Sequence, residues 1–243
     1  MPIISIEGNI GSGKSTIVKR LSESKEFTSK NPPFIVLQEP VDEWNTICDE
    51  EGKTILEHFY ADQARYSFSF QMMAYISRLA LLKKTQRENP DAIIITERCL
   101  DTDRWVFAAM LHDEEKISQM EMSIYLKWFD EFVKEVPIDG YVFLDTDPVV
   151  ASQRVEKRAR QGESIPLEYL MKCDYYHKNW AKNHIEPEHQ LHLDANAENT
   201  TATTKKQMEQ ITAFIHTRLQ SKNQPPQASK PLPPPFECFN FCA

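Results

Sequence analysis

The chain has 243 residues and a net charge of −8, from 36 Asp and Glu against 28 Lys and Arg. That length suffices for one well-buried α/β domain, and the acidic balance argues against a nucleic-acid partner, which a basic face would normally meet. Cys48, Cys99, Cys173, Cys238 and Cys242 are scattered without C-x-x-C spacing, so free thiols are expected rather than disulfides or a zinc site. No stretch is long and apolar enough for a membrane span, no presequence fits ahead of a strand starting near residue 3, and the C-terminus lacks a prenylation motif. A cytoplasmic protein with no membrane partner is expected.

The chain opens on IISIEGNIGSGKST, residues 3–16, an apolar strand running into a glycine loop and then a helix. Gly8, Gly13, Lys14 and Ser15 satisfy G-x-x-x-x-G-K-[ST], the phosphate-loop pattern. Glycines let backbone N–H groups approach phosphate oxygens, the following helix presents its positive end, Lys14 adds a cation, and the Ser15 hydroxyl can join a Mg²⁺ shell. Gly8, Asn9, Ile10, Gly11, Ser12, Gly13, Lys14, Ser15 and Thr16 are therefore assigned to a nucleoside triphosphate. A helix over Lys14–Ser24 follows.

Four more segments read as buried parallel strands: Phe34–Glu39, Ala92–Glu97, Gly140–Asp145 and Gln190–Asp194. Helical stretches separate them: Lys53–Arg87, Asp103–His112, Lys116–Val136, Asp147–Arg160, Pro166–Asn183 and Thr204–Gln220. The pattern predicts a doubly wound, five-stranded parallel sheet of phosphate-loop NTPase type, flanked by helices and carrying a helical lid. A kinase domain over residues 1–220 and a tail over 221–243 are expected. That tail carries six prolines and cannot extend a helix; polyproline II character is the plain expectation, a docking peptide for a polyproline-binding groove the sharper one.

Ligands of open α/β sheets sit beyond the carboxyl ends of the strands, so the residues there carry the chemistry. Of the strands after the first, two end in glutamate, Glu39 in LQEPVDEW and Glu97 in IITERC, and Arg98 follows Glu97 directly. Phosphoryl transfer needs a carboxylate at the acceptor hydroxyl, another for the metal or its waters, and a cation at the transferred group. Asp145 and Asp147 read as structural, starting the next helix. That helix ends in RVEKRARQGES, where Arg154, Lys157, Arg158 and Arg160 suggest a flap over the triphosphate.

With EGNIGSGKST, EPVDEW, FSFQ with Ser77–Arg78, ERCLDTDRWVF, RARQGESIPLEYL and LDAN in this order, the chain resembles the deoxyribonucleoside kinases from Ile3 to about Leu219. This family includes the deoxycytidine, deoxyguanosine and mitochondrial thymidine kinases. The resemblance implies transfer of the ATP γ-phosphate to a nucleoside 5′-hydroxyl with Mg²⁺. On it, Glu39 accepts or polarises the hydroxyl proton with Glu97 in reserve, Arg98 lies beside that oxygen, and Ser15 and Glu97 hold the metal. It also matches Tyr60 and Glu163 to the sugar 3′-hydroxyl and Gln71 to the base edge. Ile10, Trp44, Leu56, Phe70 and Phe107 would wall the base slot, and Arg154, Arg158 and Arg160 the lid. The loop Asn196–Asn199, including Glu198 and Asn199, falls to the nucleotide donor.

Arg78 and Asp103 match the charged pair of the deoxycytidine and deoxyguanosine kinase branch, which implies purine deoxynucleosides or deoxycytidine over thymidine. The chain departs from the family pattern at Gly162, where relatives often carry a second acid, and at Cys99, which replaces a serine. The loop Asn196–Asn199 also lacks the aromatic that some relatives place against adenine. Relatives are commonly homodimers, and the stretch Met110–Leu126 is a candidate face. Two alternatives stand beside this reading: a nucleoside monophosphate kinase of thymidylate-kinase type, which needs extra arginines for the acceptor's phosphate, and a non-catalytic nucleotide-binding adaptor presenting its proline tail.

Overall fold

The computed structural model describes residues 1–24, 32–160, 163–197 and 201–222. Glu198, Asn199, Gly162 and the proline-rich stretch 223–243 lie outside them. The five strands are β1 (Ile3–Glu7), β2 (Phe34–Leu37), β3 (Ile93–Glu97), β4 (Gly140–Asp145) and β5 (Gln190–Asp194). They form one parallel sheet in the order β2-β3-β1-β4-β5. β1 is central, so the loop after it opens between the ends of β3 and β4, where the winding reverses.

Alternation along the strands divides the core between two faces. Ile3 and Ile94 pack with Tyr75, Leu82 and Tyr125 on one side. Ile4, Ile6, Ile95, Val142 and Leu144 meet Ile17, Leu21, Ile211 and Ile215 on the other. All five strands read as buried, but only the three inner ones are largely so. β2 is half-buried throughout and β5 buries only Leu193 within the strand. Both are edges, where one flank of the ladder has no neighbour.

The helices are α1 (Lys14–Glu23), α2 (Val41–Trp44), α3 (Ile55–Ala61), α4 (Gln63–Glu88), α5 (Leu100–Thr102), α6 (Ala109–Asp113), α7 (Gln119–Phe132), α8 (Pro148–Arg158), α9 (Leu167–His184) and α10 (Thr201–Lys222). A π-helical turn, Asp103–Ala108, joins α5 to α6. The helix expected over Lys53–Arg87 is two helices. Asp62 leaves helical geometry (φ −147°, ψ 83°) and its carboxylate accepts from Arg65 N, capping α4. Thr54 and Glu57 close a capping box on α3. Ser118 and Glu121 do the same for α7, which starts later than the expected Lys116. Asp147 caps α8 through Val149 N, as read, and Pro148 takes the first helical position. α10 runs two residues past the expected boundary at residue 220, because the first proline comes only at position 225. Among the described residues no helix is long and apolar enough to cross a membrane, and Cys48, Cys99 and Cys173 are free thiols, as expected.

Candidate active site

The phosphate loop bridges Glu7, the last residue of β1, and Lys14, the first of α1. Gly13 adopts φ +96° and Gly11 φ +81°, a region costly for residues with a Cβ. At Gly11 there is a second reason: a Cβ would lie 2.4 Å from the Ala151 carbonyl oxygen of α8. Lys14 is buried and donates from Nζ to the Gly8 and Asn9 carbonyls (3.0 and 2.7 Å). Burial, helped by the nearby Arg98 charge, pulls its ammonium down to about 7 despite the attraction of Glu97, Glu39 and Glu7. Asn9 turns its side chain away, donating to Leu170 O of α9 (2.8 Å). Gly8, Asn9 and Ser12 are buried, whereas Ser15 and Thr16 stand exposed at the mouth of the loop.

A cleft of about 1140 Å³ runs from this loop across the ends of β2 and β3 and under the end of α8. Gly11, Gly13, Lys14, Ser15 and Thr16 line one end together with Ile10. Glu39, Glu97, Arg98, Arg78 and Asp103 line the middle. Ser15 Oγ donates to Glu97 Oε1 at 2.8 Å, which brings the two residues assigned to a metal into direct contact. A hydroxyl and a carboxylate oxygen suit Mg²⁺, which usually takes one or two carboxylates and completes its shell with substrate phosphates and water. The described residues contain no cluster of three or more His, Cys, Asp or Glu that could hold a metal ion.

Arg78 binds Asp103 with two nitrogens, Nε to Oδ2 at 2.9 Å and Nη2 to Oδ1 at 3.3 Å. Its Nη1 donates to the Glu97 carbonyl (2.8 Å) and Nη2 also to Glu39 Oε1 (3.0 Å). Arg98 Nε approaches the same Glu39 oxygen at 3.6 Å. Burial works to raise the Glu39 carboxyl, but the Arg98 and Arg78 guanidinium charges outweigh it and bring it down to about 2.

Arg98 itself sits at φ +64°, a strained conformation for a non-glycine residue that costs of order 1–3 kcal/mol. Its guanidinium lies 4.8 Å from the Phe107 ring centre. Although Arg98 is 3% exposed, its Nε and Nη1 make no hydrogen bond among the described residues. Buried donors are rarely left bare, and Arg98 lines a cleft sized for a ligand.

The far end of the cleft is aromatic. Trp44 meets Phe70 edge-on at 5.5 Å and fixes its indole N–H on Ser77 Oγ (2.8 Å). Phe59 stacks on Phe70 at 4.6 Å. Leu56, Tyr60, Gln71 and Phe107 complete the lining with Tyr169 of α9. Gln71 is 2% exposed, and its Oε1 has no partner among the described residues. Phe59 and Tyr169 were missed in the sequence, where an aromatic on an amphipathic helix looks like core.

Glu163 receives Arg158 in an ion pair and Arg160 Nη1 at 3.8 Å, and it lies near enough to Tyr60 to raise the phenol, second to burial. Arg154 points elsewhere, donating to the carbonyls of Asn196 and Ala197 (both 3.2 Å). Arg154, Arg158 and Arg160 thus border the cleft, each resting on a protein acceptor.

A family model for deoxynucleoside kinase matches residues 4–216. The chain is 34% identical over 192 residues to deoxycytidine kinase of Homo sapiens, covering 73% of this chain and 74% of that one. It is 33% identical over 189 residues to a probable deoxycytidine kinase of fowlpox virus, covering 76% and 74%. Mitochondrial deoxyguanosine kinase of Xenopus laevis is 29% identical over 196 residues, covering 73% and 72%.

Lys14 provides a pH test. A triphosphate anion beside this ammonium favours its charged form, so binding must take up a proton wherever the free lysine is neutral. Calorimetry of ATP binding at pH 8 in buffers of different ionisation enthalpy should register uptake of close to one proton, with affinity falling as pH rises above 7. Equal heats in all buffers would show that Lys14 is already charged in the free protein.

Proposed function

The chain belongs to the deoxynucleoside kinase family and is an ATP-dependent deoxynucleoside kinase, and we propose that its own residues divide the reaction as follows. The nucleoside lies in the aromatic end of the cleft with its 5′-hydroxyl at Glu39, and the triphosphate lies on the loop with its γ-phosphate at Arg98. The observation that carries this is the Arg98 guanidinium beside Glu39, its Nε and Nη1 without a hydrogen bond among the described residues, in the same cleft as Lys14. Charge develops on the transferred phosphoryl group in a loose transition state, and donors already in place stabilise it without reorganising.

Glu39 is a weak base while two guanidiniums flank it. Once Arg98 turns to phosphate, the largest charge holding Glu39 down is diverted, and its basicity rises as the substrates assemble. The carboxylate then orients the hydroxyl and receives its proton. Ser15 and Glu97 would hold Mg²⁺, which supplies neutralisation of phosphate charge. Tyr60 and Glu163 meet the sugar 3′-hydroxyl, and Gln71, whose amide both donates and accepts, reads the base edge. Arg154, Arg158 and Arg160 close on the triphosphate, for which they must leave their present acceptors.

For substrate, we propose deoxyadenosine, deoxyguanosine or deoxycytidine over thymidine. The Arg78–Asp103 pair fills the slot near the base and is fixed by four hydrogen bonds around one guanidinium, leaving little room for a 5-methyl group. A homodimer is proposed on the face shared by α4 and α7. Ile76, Met120, Ile124 and Trp128 are exposed there, and the two helices are joined through Tyr75 Oη and the Trp128 carbonyl.

A screen with labelled ATP over deoxy- and ribonucleosides is the direct assay. Phosphorylation should need Mg²⁺, favour purine deoxynucleosides or deoxycytidine, and drop about 10²–10⁴-fold in kcat for Glu39→Gln; thymidine as the best acceptor, or full activity in Glu39→Gln, would reject the reading. Arg78→Met with Asp103→Ala should raise the thymidine-to-deoxycytidine ratio of kcat/KM while lowering kcat, since Glu39 loses its closest partner. An unchanged substrate ranking counts against the slot assignment. Light scattering should find a dimer that Trp128→Glu converts to monomer with unchanged circular dichroism, and a monomeric parent protein would refute the dimer.

A further inference from the structure

Glu7 is a completely buried acid that the reaction described above does not use. It ends β1, directly before the phosphate loop. Ser5 Oγ donates to one carboxylate oxygen and Thr102 Oγ1 to the other, the latter at 2.7 Å. Burial raises the Glu7 carboxyl, while the two hydroxyls and the Arg98 charge favour its ionised form. A buried carboxylate is costly, so its persistence asks what its two hydroxyl bonds hold in place.

What they hold is the turn that carries Arg98. Thr102 Oγ1 accepts from the Cys99 backbone N–H at 3.4 Å while donating to Glu7, so one hydroxyl ties the residue after Arg98 to the end of β1. Two further bonds fix Arg98 directly. Its N–H donates to the Ile6 carbonyl at 3.0 Å, and its own carbonyl accepts from Thr96 Oγ1 at 3.0 Å. A left-handed arginine persists only where its surroundings over-determine it, and three attachments within two residues do so here. Two of the three run to consecutive residues of β1, Ile6 and Glu7, which lead straight into the loop that grips the donor.

We propose that Glu7 and Thr102 are positioning residues that set the Arg98 guanidinium in register with the phosphate loop. The proposal rests on the reading of Arg98 as the group that stabilises the transferred phosphoryl. Neither residue lines the cleft, so neither touches substrate. The loop end of β1 and the Arg98 turn then move as one unit. Misplacement of about 1 Å between a catalytic group and a reacting atom costs on the order of a hundredfold in rate.

The test is a double-mutant cycle with rescue. Thr102→Val removes the hydroxyl and keeps the shape, and Thr102→Ser restores the hydroxyl. Thr102→Val should lower kcat by roughly ten- to a hundredfold, with KM for ATP and nucleoside changed less than about threefold, and Thr102→Ser should regain most of the rate. In an Arg98→Lys background, whose side chain no longer presents the fork, Thr102→Val should cost little more. Equal losses in both backgrounds, no loss of kcat, or a Thr102→Ser variant as slow as Thr102→Val would overturn the proposal. Should Thr102→Val fail to fold, Glu7→Gln, which keeps the size and one acceptor oxygen, enters the same cycle with the same expectations. Full activity in Arg98→Lys alone would strike the reading of Arg98 itself, which separates that failure from this one.

Discussion

One guanidinium gathers the site. Arg78, reaching from the middle of α4, binds Asp103 on the π-helical turn, Glu39 beyond β2 and the main-chain carbonyl of Glu97 at the end of β3. Stretches around residues 39, 78 and 97–103 are thereby held at one point, with Arg78, Asp103 and Glu97 buried and Glu39 half-buried at the cleft. Truncating one member of such a buried cluster costs about 3–5 kcal/mol, because the remaining charges stay buried without a counterpart. The cluster is therefore a feature of the fold as much as of the chemistry. It delivers Glu39 to the cleft in ionised form, next to Arg98, whose Nε and Nη1 make no hydrogen bond among the described residues.

The phosphate loop shows the complementary economy of charge. Lys14 has turned its ammonium onto the loop's own carbonyls, and burial leaves it weakly charged. The lid arginines rest on Glu163 and on the carbonyls of Asn196 and Ala197. In the free protein, then, Lys14, Arg154, Arg158 and Arg160 already rest on protein acceptors, while Arg98 keeps two nitrogens without a hydrogen bond among the described residues. A triphosphate must compete with those acceptors for these four, and this competition ties donor binding to the arrangement of the whole cleft.

Much of this was legible in the residues. All five strands and the start of α1 fall where the apolar runs and the glycine loop place them, with β2 ending two residues early at Leu37, since β-branched continuity and the phosphate-loop pattern are local properties. The break at Asp62 was not legible, because apolar spacing continues across it and the cap depends on a single side-chain bond. Edge and inner strands read alike, since both carry continuous apolar runs and only pairing distinguishes them. Glu39, Glu97 and Arg98 announced themselves as polar residues at or just past the ends of apolar strands. The Arg78–Asp103 pair did not, being a contact across 25 positions that only the family resemblance could suggest. Glu7 drew no attention because an acid before a glycine looks like a solvated strand end, whereas it is fully buried.

The account turns on the charge state of Glu39 and on its release when phosphate claims Arg98. Infrared difference spectroscopy or carbon NMR of the labelled Glu39 carboxyl, in the free protein and with a non-hydrolysable ATP analogue, measures this directly. The free protein should titrate at about 2, and the analogue should move that value upward. A carboxyl that titrates near the ordinary 4.5 in both states would contradict the account.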